Sequence, residues 1–589
     1  MTQIYTFLGY EDIDDCYIYK GIYRPLSSLT TEELEKVIYD EVCTLRPNEV
    51  VGFFSFLNMV YQTHPFDNVQ IRAIKDLGIL LKKDLSNYFN NKVLLHRDML
   101  LYLINEVIRG EHRGIQGCTG KGNGSGSKKL YELFLLTNTR LSRDLDETNL
   151  LLQLLRNNPQ PYNLGVTVNY YHRWIVRYRY VYTELLRRLY KQENLITKGL
   201  KLIEDDMNVN LEEYFEVVEA FLNWFLLDPY LRKSEPNYVR NGGFNPSNIN
   251  TFYINKENFS QDGKILRLID KLSLSLADMK TFIQEACEEE KNRREFDPFF
   301  QRMMKLFHRP IFKVDENTYC IIDFKFFLEG LCSGLIWRLQ PLLEQDNQDN
   351  KDSKLQNLRS EYGQLLEKYF LELIHNIFSQ STEHLGNGEG EPDAIVRSDD
   401  YTLIFEFTVE YYTIESLYST KADKVRKKLD QLLFNKGGNQ NKNKKQPGKL
   451  INLNKYIEKE LPHNPDATII PILVTERYLG DSALLTKFSD DIENRIKTYP
   501  LSCLEKYPLL IISLDELEIF WQFASDDPVE AIQEFVKCVE AWQNENSKGN
   551  YLFNFGGFVH KFFEGKKEKN KVFIEFFQKN QQINTNVLE

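Results

Sequence analysis

At 589 residues with a formal net charge of −12, the chain is long enough for two to four domains and too acidic overall for a protein that coats DNA. Attraction to phosphate follows local patches rather than the total, so nucleic-acid chemistry at one defined site stays open. Charged residues interrupt every apolar run before membrane-spanning length, and the start, Met1-Thr2-Gln3-Ile4-Tyr5, lacks the basic and apolar segments of a secretion signal. The eight cysteines never come closer than Cys320 and Cys332. The expectation is a cytoplasmic protein with no membrane partner and no structural zinc.

Residues 1–113 open on the acidic stretch Glu11-Asp12-Ile13-Asp14-Asp15 and then turn helical. Thr30 or Thr31 is placed to cap a helix whose first turn carries Glu32 and Glu33, and apolar residues recur at helical spacing through Ile104. With no recognisable chemistry, this region reads as recognition, regulatory or assembly structure. A glycine-rich stretch follows at 114–127. Its Gly120-Lys121 pair fails as a phosphate loop, because Ile115 stands where such a loop needs glycine and Gly122 where it needs Ser or Thr. A flexible connection fits better.

From 128 to 343 the pattern is mainly helical. Arg173, Arg177, Tyr180, Glu184, Arg188 and Lys191 recur at i+3/i+4 spacing and so share one face of a helix. Arginine matches phosphate or a guanine edge and tyrosine adds stacking, which makes this face the leading nucleic-acid candidate here. A buried helix with a solvated basic face would carry the same pattern. Further on, 310–314 and 318–322 read as a hairpin around Asp315-Glu316-Asn317. Phe324 to Trp337 reads as an apolar helix in which Gly330 and Gly334 permit close packing. A run without an apolar residue, Glu344 to Ser353, marks a linker at 344–354.

The pattern changes in 355–545. A turn ending in Pro392 delivers Asp393 onto a short strand, and Arg397-Ser398-Asp399-Asp400 turns into the apolar strand Leu403-Ile404-Phe405-Glu406-Phe407-Thr408-Val409. Alternation puts Ile404, Glu406 and Thr408 on one side and Leu403, Phe405 and Phe407 on the other. A carboxylate inside such a strand is costly to bury unless it is paired or bound to a cation. Asp393 begins the neighbouring strand within reach of Glu406, and two hard oxygen donors converging there describe a Mg2+ site, which Mn2+ can share. Beyond it, 435–449 carries Lys436, Lys442, Lys444, Lys445 and Lys449 with no acid. It reads as a surface loop that can also grip phosphates. Residues 546–589 form a lysine-bearing tail.

Pro392-Asp393 followed thirteen positions after the aspartate by Glu406 resembles the signature of the PD-(D/E)XK nuclease superfamily. The helix Glu361 to Phe370 is similar to that family's first helix, with Glu367 at its acidic position, and 467–475 and 509–517 resemble its later core strands. Over these residues the chain looks like the catalytic domains of type IIS restriction and nicking endonucleases. The motif lysine is replaced by Thr408, so the resemblance implies a lysine supplied from elsewhere: Lys421 first, Lys424 second. It implies an α/β domain with a mixed central sheet, behind mainly helical amino-terminal and middle regions. It also implies Asp393, Glu406 and the Phe407 carbonyl as metal ligands, with Glu367 on a second ion or an outer water.

The expected activity is Mg2+-dependent hydrolysis of double-stranded DNA by a restriction or anti-phage defence endonuclease. Its nucleic-acid contacts would come from Arg173, Arg177, Arg188, Lys191, Lys442, Lys444 and Lys445. One such centre cuts one strand at a time, so a homodimer on DNA is expected for double-strand cleavage. The alternatives are a signal-activated non-specific nuclease or ribonuclease, and an inactive nuclease fold that binds DNA.

Overall fold

The computed structural model describes residues 6–13, 16–19, 22–63, 66–89, 92–111, 125–143, 173–190, 194–227, 254–259, 263–291, 309–336, 338–339, 343, 351–378, 382–384, 391–409, 433–436, 446–447, 449–460, 467–476, 509–547 and 555–566. The protein is mostly helical, with one mixed sheet of several strands in each of two compact units. The amino-terminal unit gathers Ile4–Ile175 and Leu200–Leu339, and the carboxy-terminal unit gathers Val176–Gly199 and Gln340–Glu589. A segment from the middle of the sequence thus belongs to the carboxy-terminal unit. Among the described residues no helix is long and apolar enough to cross a membrane.

In the amino-terminal unit, the helix Thr31–Val42 starts where the capping residues place it. Thr30 Oγ1 accepts from the Glu33 amide at 3.1 Å, while the Glu33 carboxylate accepts from the Thr30 amide at 2.9 Å. The helix Arg97–Arg109 is buried over almost its whole length among its neighbours. The expected hairpin forms: Ile311–Lys313 pairs antiparallel with Thr318–Ile321 inside a four-stranded sheet completed by Ile254–Asn255 and Ser273–Leu274. The apolar helix begins at Phe324 but ends at Leu331, short of Trp337. At that end the chain passes through a turn so tight that a Cβ on Gly334 would lie 2.7 Å from the Glu329 carbonyl oxygen.

Among the described residues this unit buries a complete ion pair. Asp323, which caps the helix at Phe324, takes Arg97 through both oxygens at 2.7 and 3.0 Å. Asn58, Gln62 and the Phe326 amide donate to it as well, at 2.9, 2.8 and 2.8 Å. Burial acts to raise this carboxyl, yet Arg97 and these hydrogen bonds outweigh it and hold it below the usual range. Nearby, the buried His96 is kept neutral, its imidazole pushed down to about 3 by burial. Its Nδ1 accepts from the Met99 amide, which leaves Nε2 to donate to Asn138 at 2.9 Å.

The carboxy-terminal unit is built on a sheet of five strands: β1 (Thr382–His384), β2 (Ala394–Arg397), β3 (Tyr401–Thr408), β4 (Thr468–Thr475) and β5 (Leu510–Ser513), in the order β5-β4-β3-β2-β1. The β5–β4 and β4–β3 pairs are parallel, and the other two are antiparallel. β3 is central and buried from Thr402 to Thr408, as its continuous apolar run requires. Against the Phe405/Phe407 face lies α1 (Lys351–Phe378), with Phe370 stacked on Phe407 at 4.9 Å between ring centroids. This helix starts inside the polar run expected as a linker. α2 (Lys449–Glu460) packs on β3 and β4 and feeds β4, so it is the returning arm of the parallel crossover.

β5 runs directly into α3 (Leu514–Phe523) through a Ser513–Glu516 capping box. α4 (Pro528–Ser547) and α5 (Phe555–Phe562) close the unit around Phe378, Phe520, Phe535 and Phe563. α5 therefore turns part of the expected tail into core, and the Gly556 amide donates to the Glu516 carboxylate at 3.3 Å.

Candidate metal centre

The register of β2 and β3 brings Asp393 and Glu406 together. Ala394 pairs with Phe405, and the Asp393 amide donates to the Phe405 carbonyl at 3.0 Å. One residue beyond the ladder, the Asp393 carboxylate takes the place of a backbone partner and accepts from the Phe407 amide at 2.6 Å through Oδ2. Residues two apart on a strand share an edge, so the Phe407 carbonyl lies on the same edge of β3 as the Phe405 carbonyl, toward Asp393. Glu406 projects from the opposite face to Phe405 and Phe407 and is almost wholly buried.

The third member arrives from α2. Lys449 Nζ lies 2.5 Å from Glu406 Oε2 and 3.7 Å from Asp393 Oδ2. Burial acts to lower its ammonium, but Asp393, Glu406 and Glu367 together raise it above the ordinary lysine value, so it is charged. Lysine in the first turn of a helix sits at the positive end of the macrodipole, an unfavourable place for a cation. Here the two carboxylates offset that cost. Glu367, on α1, is held above the ordinary carboxyl value first by burial and then by the Asp393 charge.

Thr408 is buried two residues after Glu406, and its carbonyl accepts from the Glu476 amide at 3.1 Å. Glu476, at the end of β4, is itself fixed: the Tyr178 and Tyr362 hydroxyls donate to its Oε1 at 3.0 and 2.6 Å. The carboxy-terminal ends of β3 and β4 are thus held from below by two tyrosines. Glu406 and Lys449 meet near the carboxy-terminal ends of β3 and β4, where open parallel sheets place their sites, and Asp393 joins them from the start of the antiparallel β2.

The arrangement fits a hard divalent cation by the chemistry of its donors, which are carboxylate oxygens and a backbone carbonyl, with a lysine ammonium already among the carboxylates. It is not a ready-made cage. Among the described residues no group of three or more His, Cys, Asp or Glu side chains stands close enough together to hold a metal ion. Asp393 and Glu406 are the pair, and Glu367 acts from farther off.

Of the lysines expected to replace the motif lysine, Lys421 and Lys424 lie outside the described residues. Among the described residues, Lys449 is brought to the carboxylates, a lysine that composition alone assigns to the lysine-rich loop. Topology was the available signal: the helix that returns a parallel crossover runs against the strands, so its first residue stands at their carboxy-terminal ends.

The basic helix needs correction. Residues 173–189 are helical, with a π-turn at Val181–Leu185, but Arg173 and Arg177 are buried and present no face to a nucleic acid. Arg177 donates to both Glu518 oxygens at 2.6 Å and also pairs with Asp515, while Tyr369 donates to Glu518 at 2.7 Å. Arg188 is half exposed and bonds to Glu372 and to the Tyr180 hydroxyl, each at 2.6 Å. Lys191, Lys442, Lys444 and Lys445 lie outside the described residues.

Comparison of the chain with known protein families, with curated proteins and with solved structures found no match in any of the three.

Proposed function

We propose that the carboxy-terminal unit is a PD-(D/E)XK-type catalytic domain and that the chain is a Mg2+-dependent endonuclease hydrolysing phosphodiester bonds in double-stranded DNA. The observation that carries this reading is the placement of Lys449 on Asp393 and Glu406 at the ends of β3 and β4 of a mixed sheet. It supplies the acid–acid–lysine set that Thr408 leaves incomplete in the linear motif.

Asp393 and Glu406, with the Phe407 carbonyl, would hold the cation, and Glu367 would bind an outer water. A bound Mg2+ supplies a Lewis acid that lowers the pKa of water and neutralises charge on a phosphate. The rest falls to side chains. The Phe407 amide fixes the rotamer of Asp393, and the buried position of Glu406 leaves its carboxylate no solvent route away from the site. Lys449 orients the attacking water and stabilises negative charge developing on the phosphate. Each centre cuts one strand, and double-strand cleavage takes two copies on the DNA.

The test is supercoiled plasmid with Mg2+ and the full chain, beside Asp393→Asn and Glu406→Gln. Discrete fragments or nicked circles from the wild type alone support the reading, and a smear reassigns it to a non-specific nuclease. One observation favours a second reading: Lys449 is already ion-paired with Glu406, as it would be in an inactive nuclease fold that binds DNA. Cation-dependent DNA binding with no cleavage under Mg2+ or Mn2+ would select it.

A further inference from the structure

We propose that Lys449 is the latch of the cation site: its ammonium occupies the cation's place, and a divalent ion enters only as the ammonium swings away. This rests on the metal-centre reading above. Nζ lies 2.5 Å from Glu406 Oε2 and 3.7 Å from Asp393 Oδ2, on the two carboxylates that would hold a hard cation. Two positive ions cannot share those lone pairs without strong repulsion in a partly desolvated site.

The three groups differ in how freely they can move. Glu406 stands on the central strand with both faces covered, and Asp393 is tied by the Phe407 amide. Lys449 opens α2 on a four-carbon stem that is still part-exposed, with about a sixth of its side-chain surface in solvent (17%). An ammonium on such a stem changes position by rotation of single bonds. The lysine is therefore the part that yields. Once displaced it stays tethered beside the carboxylates, where a phosphate or an attacking water would lie. Latch and catalytic lysine become two positions of one side chain.

The consequence has a sign. Removing the ammonium should tighten divalent-ion binding even as it impairs any cleavage. The experiment is calorimetric titration of the full chain with Mn2+ and Ca2+, for the wild type, Lys449→Met, Lys449→Gln and Glu406→Gln, each confirmed folded by its thermal melt. A second readout needs no variant: acetylation of Lys449 in the wild type, quantified by mass spectrometry with and without Ca2+. We expect both Lys449 variants to bind the ions on the order of tenfold tighter or more, from the loss of one close like charge. We also expect Glu406→Gln to bind more weakly, and Ca2+ to increase acetylation of Lys449. Equal or weaker binding by Lys449→Met and Lys449→Gln, with acetylation unmoved by Ca2+, overturns the latch and leaves the metal centre standing. No ion binding by any of the proteins overturns both.

Discussion

Two charged sites, Asp323 in the amino-terminal unit and Asp393 with Glu406 in the carboxy-terminal unit, hold their carboxylates in different ways. Around Asp323 the account closes within the unit: one carboxylate, one guanidinium gripping both its oxygens, and three further donors. At Asp393 and Glu406, among the described residues, two carboxylates, with Glu367 at a distance, meet the Lys449 ammonium at a helix end that disfavours cations. A closed set of charges fixes a core. Two carboxylates around a part-exposed ammonium are, on the function proposed above, a place that a cation can take.

The sharpest way to break the comparison is Asp323→Ala. It leaves Arg97 charged and buried with Asn58 and Gln62 also deprived of an acceptor, and should cost about 3–5 kcal/mol in urea unfolding. The paired change Arg97→Met with Asp323→Leu should recover much of that loss. A single variant as stable as the wild type would mean that Asp323 is not the keystone described.

His96 gives the next largest effect, read through pH. Its imidazole titrates at about 3 in the fold against 6.5 unperturbed. The unfolded chain therefore binds the proton first. The stability is fully present above pH 6.5 and is lost as pH falls toward 3. The slope between those values should approach about 1.4 kcal/mol per unit. Urea titrations at pH 7, 6 and 5, above most carboxylate titration, measure it. His96→Gln, which can keep one acceptor and one donor, should flatten the dependence. An unchanged slope in that variant would move the cause elsewhere.

How far these features were legible in the sequence follows the same division. Asp393 and Glu406 stood out because a carboxylate in an apolar strand breaks a local rule, and their strands pair in the register that the alternation requires. Thr30 and the 311–321 hairpin were equally local. Lys449 was hidden because its partner lies 43 residues away and its neighbours, Asn, Gln, Gly and Lys, read as loop. Arg177 misled for a related reason. A polar stripe at helical spacing looks the same whether it meets solvent or carboxylates 338 and 341 residues downstream. Local chemistry can be read from local sequence. Which charge answers which across the chain cannot.

A smaller effect sharpens the comparison between the ends of β3 and β4 and the sealed core. Tyr178→Phe and Tyr362→Phe each remove one of two hydroxyls donating to Glu476. Each should cost about 1 kcal/mol, because the carboxylate keeps the other donor. The double variant leaves it with neither and should cost more than the sum. Additivity in a double-mutant cycle would show that the two hydroxyls do not act on a common group.

The smallest effect on stability is expected where the effect on function is greatest. Glu406→Gln removes one of the negative charges around Lys449, which keeps Asp393 as its partner at 3.7 Å. The amide retains the shape and an oxygen acceptor. Its net cost should stay within about 1 kcal/mol, far below that of Asp323→Ala, because no charge is stranded. Cleavage of plasmid DNA, by contrast, should fall on the order of a hundredfold or more, the scale of losing one preorganised electrostatic group at a reacting centre. Both quantities come from one preparation, by urea titration and a nicking assay. If Glu406→Gln unfolds as readily as Asp323→Ala, the carboxylate belongs to the core and the contrast between the two sites collapses. If it folds well and still cuts, the metal centre lies elsewhere. A stable, inactive protein is what the proposed metal centre requires, since groups that serve a cation need contribute little to the fold.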